Sequence, residues 1–395
     1  MRLLRDLSVS TATAGFVAVL VGFTSTVAVV FAAAQAFEAT PAQTTSWVWA
    51  IAVGCGSLSV ALSLWRRVPV MIAWSTPGAA VLASAASGAG FTMGEAAGAF
   101  VVCSIAIALV GFSGLFERLM QVVPLGLAAA LLAGALTRFA LDGFVSAQAE
   151  PLLVVGMLAA YLAGRRVAPR YAMVGVLVSG VLLAVMGGDL HAEDLRWSLA
   201  RPVWLAPTFS LSAVVSLAVP LFVVTMAGQN LPGVAAIRTA GYEVPLSKVI
   251  GATGAAGVLL APFGGYALNL AAITAAICLG PEAHEDPDRR YSAAVVNGVL
   301  YMALGIFAGA VTGLLAAFPA ALVRALAALA LVGTITANLA AALADERSRE
   351  PAILCFLVTL SGVTLAQIGS AFWGAVAGVV ALAVGRGLPV RRPTG

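Results

Sequence analysis

Long apolar blocks separated by short polar turns fill nearly the whole chain. A block near 20 residues is read as a span, because that length of helix crosses a ~30 Å hydrocarbon core. The pattern predicts spans at about 14–36, 46–64, 68–90, 95–114, 121–141, 150–164 and 171–188, then a polar stretch, Gly188 to Pro207. A second series follows at about 209–236, 246–262, 264–280, 291–317, 319–341, 350–367 and 370–385, fourteen in all. The first run follows Arg2 and Arg5 but exceeds the ~7–15 residues of a signal-peptide core, so it is read as a span.

Charge tests the count. With the N-terminus inside, 17 of the 21 basic residues fall on the cytoplasmic side, and only Arg138, Arg196, Arg201 and Arg324 lie opposite. That is the bias expected of correctly counted spans, and it puts both termini in the cytoplasm. The polar stretch divides the spans seven and seven. An odd number per half makes the second half enter from the opposite side, which predicts an all-α polytopic membrane protein built as inverted repeats.

Both third spans are interrupted. Val68 to Trp74 is extended in character, and Ser75-Thr76-Pro77-Gly78 then opens an alanine-rich helix, with Thr76 as N-cap and Pro77 at N1. In the other half, Pro262-Phe263-Gly264-Gly265 precedes a segment read as helical from Tyr266 through Asn269 to Thr274. A helix that starts inside the membrane presents unpaired N–H groups and roughly half a positive charge. Two facing starts would offset about one negative charge on a ligand. Simple proline and glycine kinks with no ligand are the other reading of the same residues.

Composition narrows the function. The 395 residues are 61% hydrophobic and 10% charged, with a mean hydropathy of +1.03, against ~25% charged for a soluble domain. The net charge of +4 comes from basic residues at span ends, which argues against nucleic acid as a partner. Cys55, Cys103, Cys278 and Cys355 form no metal or redox pattern and are read as packing residues. No nucleotide-binding loop, paired-aspartate motif or serine nucleophile elbow occurs, so neither an enzyme nor a cofactor is called for.

The motifs resemble those of the benzoate/proton symporter family, BenE. Gly15 to Thr26 is similar to its opening helix, and Ala73-Trp74-Ser75-Thr76-Pro77-Gly78-Ala79-Ala80 to its third segment. Met226-Ala227-Gly228-Gln229-Asn230-Leu231-Pro232-Gly233 resembles its eighth segment, and Pro262 to Asn269 its tenth. The resemblance implies the fold shared with nucleobase/proton symporters and sulfate-type anion carriers, with short antiparallel strands before half-helices 3 and 10. It implies a core of segments 1–4 and 8–11 (residues 1–114 and 208–317) and a gate of segments 5–7 and 12–14 (115–207 and 318–395). It further implies carriage of a small aromatic acid with protons across a bacterial-type inner membrane. Related folds are commonly dimers, which makes a homodimer an open expectation.

A carboxylate needs a polar, unhydrated cradle, and an aromatic ring needs apolar walls. The candidate cradle is Ser75, Thr76, Pro77 and Gly78 with Gly265, Tyr266 and Asn269; Thr24, Ser25, Thr26, Gln229 and Asn230 are candidate walls. Gln229 and Asn230 have interhelical hydrogen bonding as their other reading. Tyr266 and Gln229 stand where the wider group often has carboxylates, and every acidic residue falls near a span end or in a loop. No proton carrier is therefore evident, and Glu38, Glu95 and Glu117 are weak candidates. His191 and His284 lie in polar loops, where solvation is the simpler reading than a metal. Another small anion, a nucleobase, or an anion channel are the alternative functions.

Overall fold

The computed structural model describes residues 2–116, 125–188, 198–271, 273–281, 283–365 and 370–387. In chain order the first half contributes α1 (Val9–Ala36), α2 (Pro41–Arg66), strand β1 (Ile72–Trp74), α3 (Thr76–Ala89), α4 (Met93–Phe112), α5 (Leu125–Val145), α6 (Pro151–Val167) and α7 (Ala172–Gly187). The second half begins with α8, the run Leu211–Arg238. It continues with α9 (Leu246–Leu260), β2 (Leu268–Leu270), α10 (Ile273–Leu279), α11 (Tyr291–Ile306), α12 (Ala308–Ala316), α13 (Ala320–Ala342), α14 (Arg349–Ser361) and α15 (Ser370–Gly387).

Three helices open on capping boxes that satisfy otherwise orphaned N–H groups: Ser8 with Thr11 for α1, Thr40 with Gln43 for α2, and Thr92 with Glu95 for α4. These caps start the helices two to five residues before the apolar blocks do. Helix α8 contains two π-helical segments, Val214–Ala218 and Met226–Asn230. Each is followed closely by a proline, Pro220 and Pro232, whose missing N–H leaves a carbonyl one turn earlier without its usual partner.

Among the described residues, seven helices are long and apolar enough to cross a membrane, or eight if α11 and α12, bent by 70°, form one span. Of the other blocks, α3, α6, α7, α14 and α15 fall short of that length, and two more break. The segment at 264–280 is not a helix from Tyr266: Gly264 and Ala267 take positive φ, residues 268–270 form β2, and α10 begins only at Ile273. The block at 291–317 is the bent pair α11 and α12.

The two strands pair antiparallel, with Ile72 opposite Leu270, Ala73 opposite Asn269 and Trp74 opposite Leu268. A two-stranded ladder leaves two open edges, and buried backbone groups must find partners. Side chains supply them. On the β1 edge, Ser59 Oγ accepts from Ile72 N (2.8 Å) and Ser63 Oγ from Val70 N (3.1 Å). On the β2 edge, Asn230 Oδ1 accepts from Leu270 N at 3.0 Å.

Around this ladder α2 packs along α11 and α4 along α9, while α5 packs against α13 and α14, α14 against α15, and α6 against α7. Helix α1 touches α3 and α11 on one side and α13 on the other. The α2–α11 contact is backbone to backbone. A Cβ on Gly56 would lie 2.5 Å from the Gly298 carbonyl oxygen, and one on Gly298 would lie 2.6 Å from that of Gly56.

The described part of the polar stretch is stitched across helix ends. Ala200 N donates to Ile306 O (2.8 Å), Val203 N to Ser46 Oγ (2.9 Å) and Thr208 N to Gly94 O (2.9 Å). All four cysteines are free and buried.

Candidate functional site

Helix α3 begins beneath the ladder. Its N-cap is Ser75, not Thr76: the Ser75 side chain accepts from Gly78 N at 3.0 Å, and Ala79 N bonds to the Ser75 carbonyl. Pro77 has no N–H. The first-turn group left over is Thr76, whose N–H and hydroxyl have no partner among the described residues.

Thr76 opens onto a cavity of about 130 Å³. That is close to the ~150 Å³ at which an apolar protein cavity accepts a benzene ring. Ala73, Trp74, Thr76 and Pro77 form one wall, and Ala271 and Thr274, where the chain leaves β2 for α10, form another. Both interrupted segments therefore border the same space. Val21, Gly22 and Thr26 of α1, Gln229 of α8, Tyr301 of α11, and Ala330, Leu331 and Thr334 of α13 complete the lining.

The aromatic walls are fixed by each other. Trp74 and Tyr301 meet edge to face at 5.4 Å, and Phe23 abuts Trp74 at 6.1 Å. Trp74 Nε1 is buried without a hydrogen-bond partner. A buried donor left unpaired costs about 1–3 kcal/mol. The Gln229 amide likewise has no partner among the described residues. No Asp, Glu, His, Lys or Arg is among the lining residues. The cavity therefore offers hydrogen bonds and the positive end of α3 to a polar head, and apolar faces to a ring.

Of the residues expected from sequence, Thr26, Thr76, Pro77 and Gln229 reach this space. The Thr26 hydroxyl is already donated to Gly22 O at 2.7 Å. Thr24 does not reach it: it donates to Leu20 O and borders a separate apolar groove with Phe16, Leu20 and Leu300. Two positions on a helix are about 200° apart, so Thr24 and Thr26 cannot share one face. The Ser25 side chain lies outside the described residues.

Tyr266 is fully buried away from the cavity lining, edge to face with Trp47 at 5.7 Å and tilted against Phe100 at 5.8 Å. Its displacement follows from the delayed start of α10. Asn269 is also buried, and its Nδ2 donates to Ala267 O at 3.0 Å. Asn230 holds the β2 edge, Ser75 caps α3, and Gly78 is packed so that a Cβ would lie 2.5 Å from Leu221. Gly265 adjoins Leu260 in the turn after α9.

Trp74, Gly22, Thr274, Tyr301 and Thr334 were not among the expected site residues. Gly22 carries a readable signal, since it lies one helical turn before Thr26. Tyr301 and Thr334 arrive from distant segments and carry none.

Glu38 and Glu95 sit at helix ends. Glu38 is exposed in a left-handed turn after α1. Glu95 accepts the Thr92 N–H at 3.0 Å and the Ser210 hydroxyl at 2.8 Å. Glu117 and His191 fall outside the described residues. His284 Nδ1 accepts from Asp286 N, and among the described residues no three metal-type ligands cluster.

Comparison with known proteins fits this architecture. Residues 5–384 match the family model BenE, benzoate membrane transport protein. The chain is 46% identical over 371 residues to the inner membrane protein YdcO of Escherichia coli (strain K12), covering 94% of each. It is 38% identical over 377 residues to the benzoate membrane transport protein of Acinetobacter baylyi, covering 95% of each. Among solved structures, the transmembrane domain of a cyanobacterial bicarbonate transporter, BicA, superposes with a TM-score of 0.62 at 14% identity, over 94% of this chain and 97% of that one. The structure of SLC26A9 superposes with a TM-score of 0.61 at 12% identity, over 95% of this chain and 65% of that one. The chain is thus a polytopic membrane protein with the fold of these anion transporters, and it belongs to the BenE family of benzoate membrane transport proteins.

Proposed function

We propose that this protein carries benzoate or a closely similar aromatic carboxylate across a bacterial inner membrane, together with protons, by alternating access. The carrying observation is the ring-sized cavity between the two interrupted segments, with Trp74 and Tyr301 as walls and Thr76 at the start of α3. A relative named for benzoate transport and another named as an inner membrane protein support the substrate class and the location.

In this reading the chain has fourteen segments in two inverted sevens, with α3 and α10 as the half-helices and both termini cytoplasmic. Residues 1–114 and 208–317 form the core that holds the ligand, and 115–207 and 318–395 form the gate. The cavity supports this division, since α1, β1, α3, α8, the β2–α10 segment and α11 supply most of its lining and α13 supplies the remainder. A rocking or sliding of α13 against α1 would expose the cavity to alternate sides. The substrate cradle is Thr76, Pro77, Gln229 and Thr26, joined by Trp74 and Tyr301.

Purified protein in sealed vesicles should accumulate labelled benzoate when an inward proton gradient is imposed, and lose that accumulation when the gradient is collapsed. Flux without gradient dependence or counterflow would indicate a channel. Displacement of bound benzoate by uracil would point to a nucleobase carrier.

A further inference from the structure

A second, larger cavity of about 1090 Å³ opens at the end of the molecule where α1 finishes and α2 begins. Gln35, Thr44, Thr45, Ser198, Arg201 and Thr312 supply its polar lining. Arg201 is exposed and has no carboxylate partner among the described residues. Its place is fixed by the stitched strap, since the backbone bonds at Ala200 and Val203 flank it. Thr45 and Thr312 hydroxyls meet at 2.7 Å and join α2 to α12 across the floor.

The two cavities lie on one seam. Phe31 and Val323 border the larger, and Thr26 and Ala330 the smaller. At 1.5 Å per residue they are separated by roughly 7–10 Å along α1 and α13. Between them Val27, Val30, Leu326 and Ala327 are apolar and buried, while Arg324, beside Val323, is exposed. Buried apolar side chains of α1 and α13 thus form a seal along the stretch that separates the larger cavity from the ring-sized one.

We propose that this vestibule is a capture site for the free carboxylate of the transported acid, recognised by the Arg201 guanidinium. The proposal rests on the transport reading above. A guanidinium without a carboxylate partner among the described residues, lining a recess with low-dielectric walls, concentrates anions and raises their association rate. It lies outside the seal, so it acts on arrival and not on the affinity of the inner cavity.

The test uses full-length protein in sealed vesicles of zwitterionic lipid, with labelled benzoate as the probe. At low ionic strength Arg201→Gln should raise the KM for uptake by roughly tenfold and leave kcat near that of the parent, while Arg201→Lys stays within about twofold. The difference should shrink in ~1 M salt, where the Debye length falls to ~3 Å. The retained kcat and the Lys variant separate loss of capture from loss of folding. Equal KM values for parent and Arg201→Gln would overturn the proposal while leaving the transport reading intact. A KM difference seen only when anionic lipid is added would assign the cation to a headgroup and overturn it too. Failure of the parent to accumulate benzoate would remove both readings.

Discussion

Asn230 Oδ1 accepts a hydrogen bond from Leu270 N at 3.0 Å, so an amide on the second π-helical segment of α8 stands where a third β-strand would be. The same side chain donates from Nδ2 toward Met226 Sδ at 3.4 Å. It thereby ties α8 to the ladder that positions both interrupted segments.

Asn230→Leu should destabilise the protein by about 1–3 kcal/mol, because the Leu270 N–H is left buried and unpaired. Thermal unfolding in detergent checks this as a lowered Tm. An unchanged Tm would mean that another group takes over the strand edge.

Gly22, in the lining of the ring-sized cavity, has no room for a side chain. A Cβ there would lie 2.7 Å from the Tyr301 hydroxyl oxygen and 3.0 Å from Thr274 Cγ2. Gly22→Ala should weaken benzoate binding at least about tenfold, the equivalent of ~1.4 kcal/mol, with the fold retained. Equilibrium binding of labelled benzoate, compared with elution as a single species in gel filtration, gives the answer.

Thr76 and Asn269 separate binding from scaffolding. Thr76→Val keeps the shape of the side chain and removes the hydroxyl, so benzoate affinity should fall by about 1 kcal/mol, or roughly fivefold. Asn269→Leu removes a buried bond to Ala267 O and should act on Tm with affinity nearly unchanged. The reverse pattern would place the carboxylate against β2 instead of against α3.

Trp74→Phe keeps an aromatic wall and deletes the unpartnered Nε1 donor. If that donor meets the substrate, the variant should bind benzoate several-fold more weakly, yet bind an uncharged ring such as toluene about as well as the parent. Parallel losses for both ligands would limit Trp74 to packing.

Much of this fold was legible along the chain because its causes are local. Apolar blocks near the length of a bilayer crossing announce membrane helices wherever they pack. Ser75, Pro77 and Gly78 announce a helix start because capping and the missing proline N–H act within four residues. The position of Thr76 beside the cavity followed from that start. Other features depend on segments far apart in sequence. The apolar neighbours of Tyr266 predict a helix there, yet pairing of residues 268–270 with β1 delays the helix to Ile273, and Tyr266 packs against Trp47 and Phe100.

The sequence by itself determined that the chain lives in a membrane, that the blocks at 68–90 and 264–280 are interrupted, and which polar residues lie near those interruptions. Only the tertiary structure decided which of those polar groups are already spent. The Asn230 and Asn269 side chains bond to backbone at the buried ladder and Ser75 caps α3, while Thr76, Gln229 and Trp74 keep donors unpaired among the described residues. A hydrogen-bonding group in a low-dielectric interior must find a partner, and whether that partner is protein or ligand depends on which distant segment packs beside it.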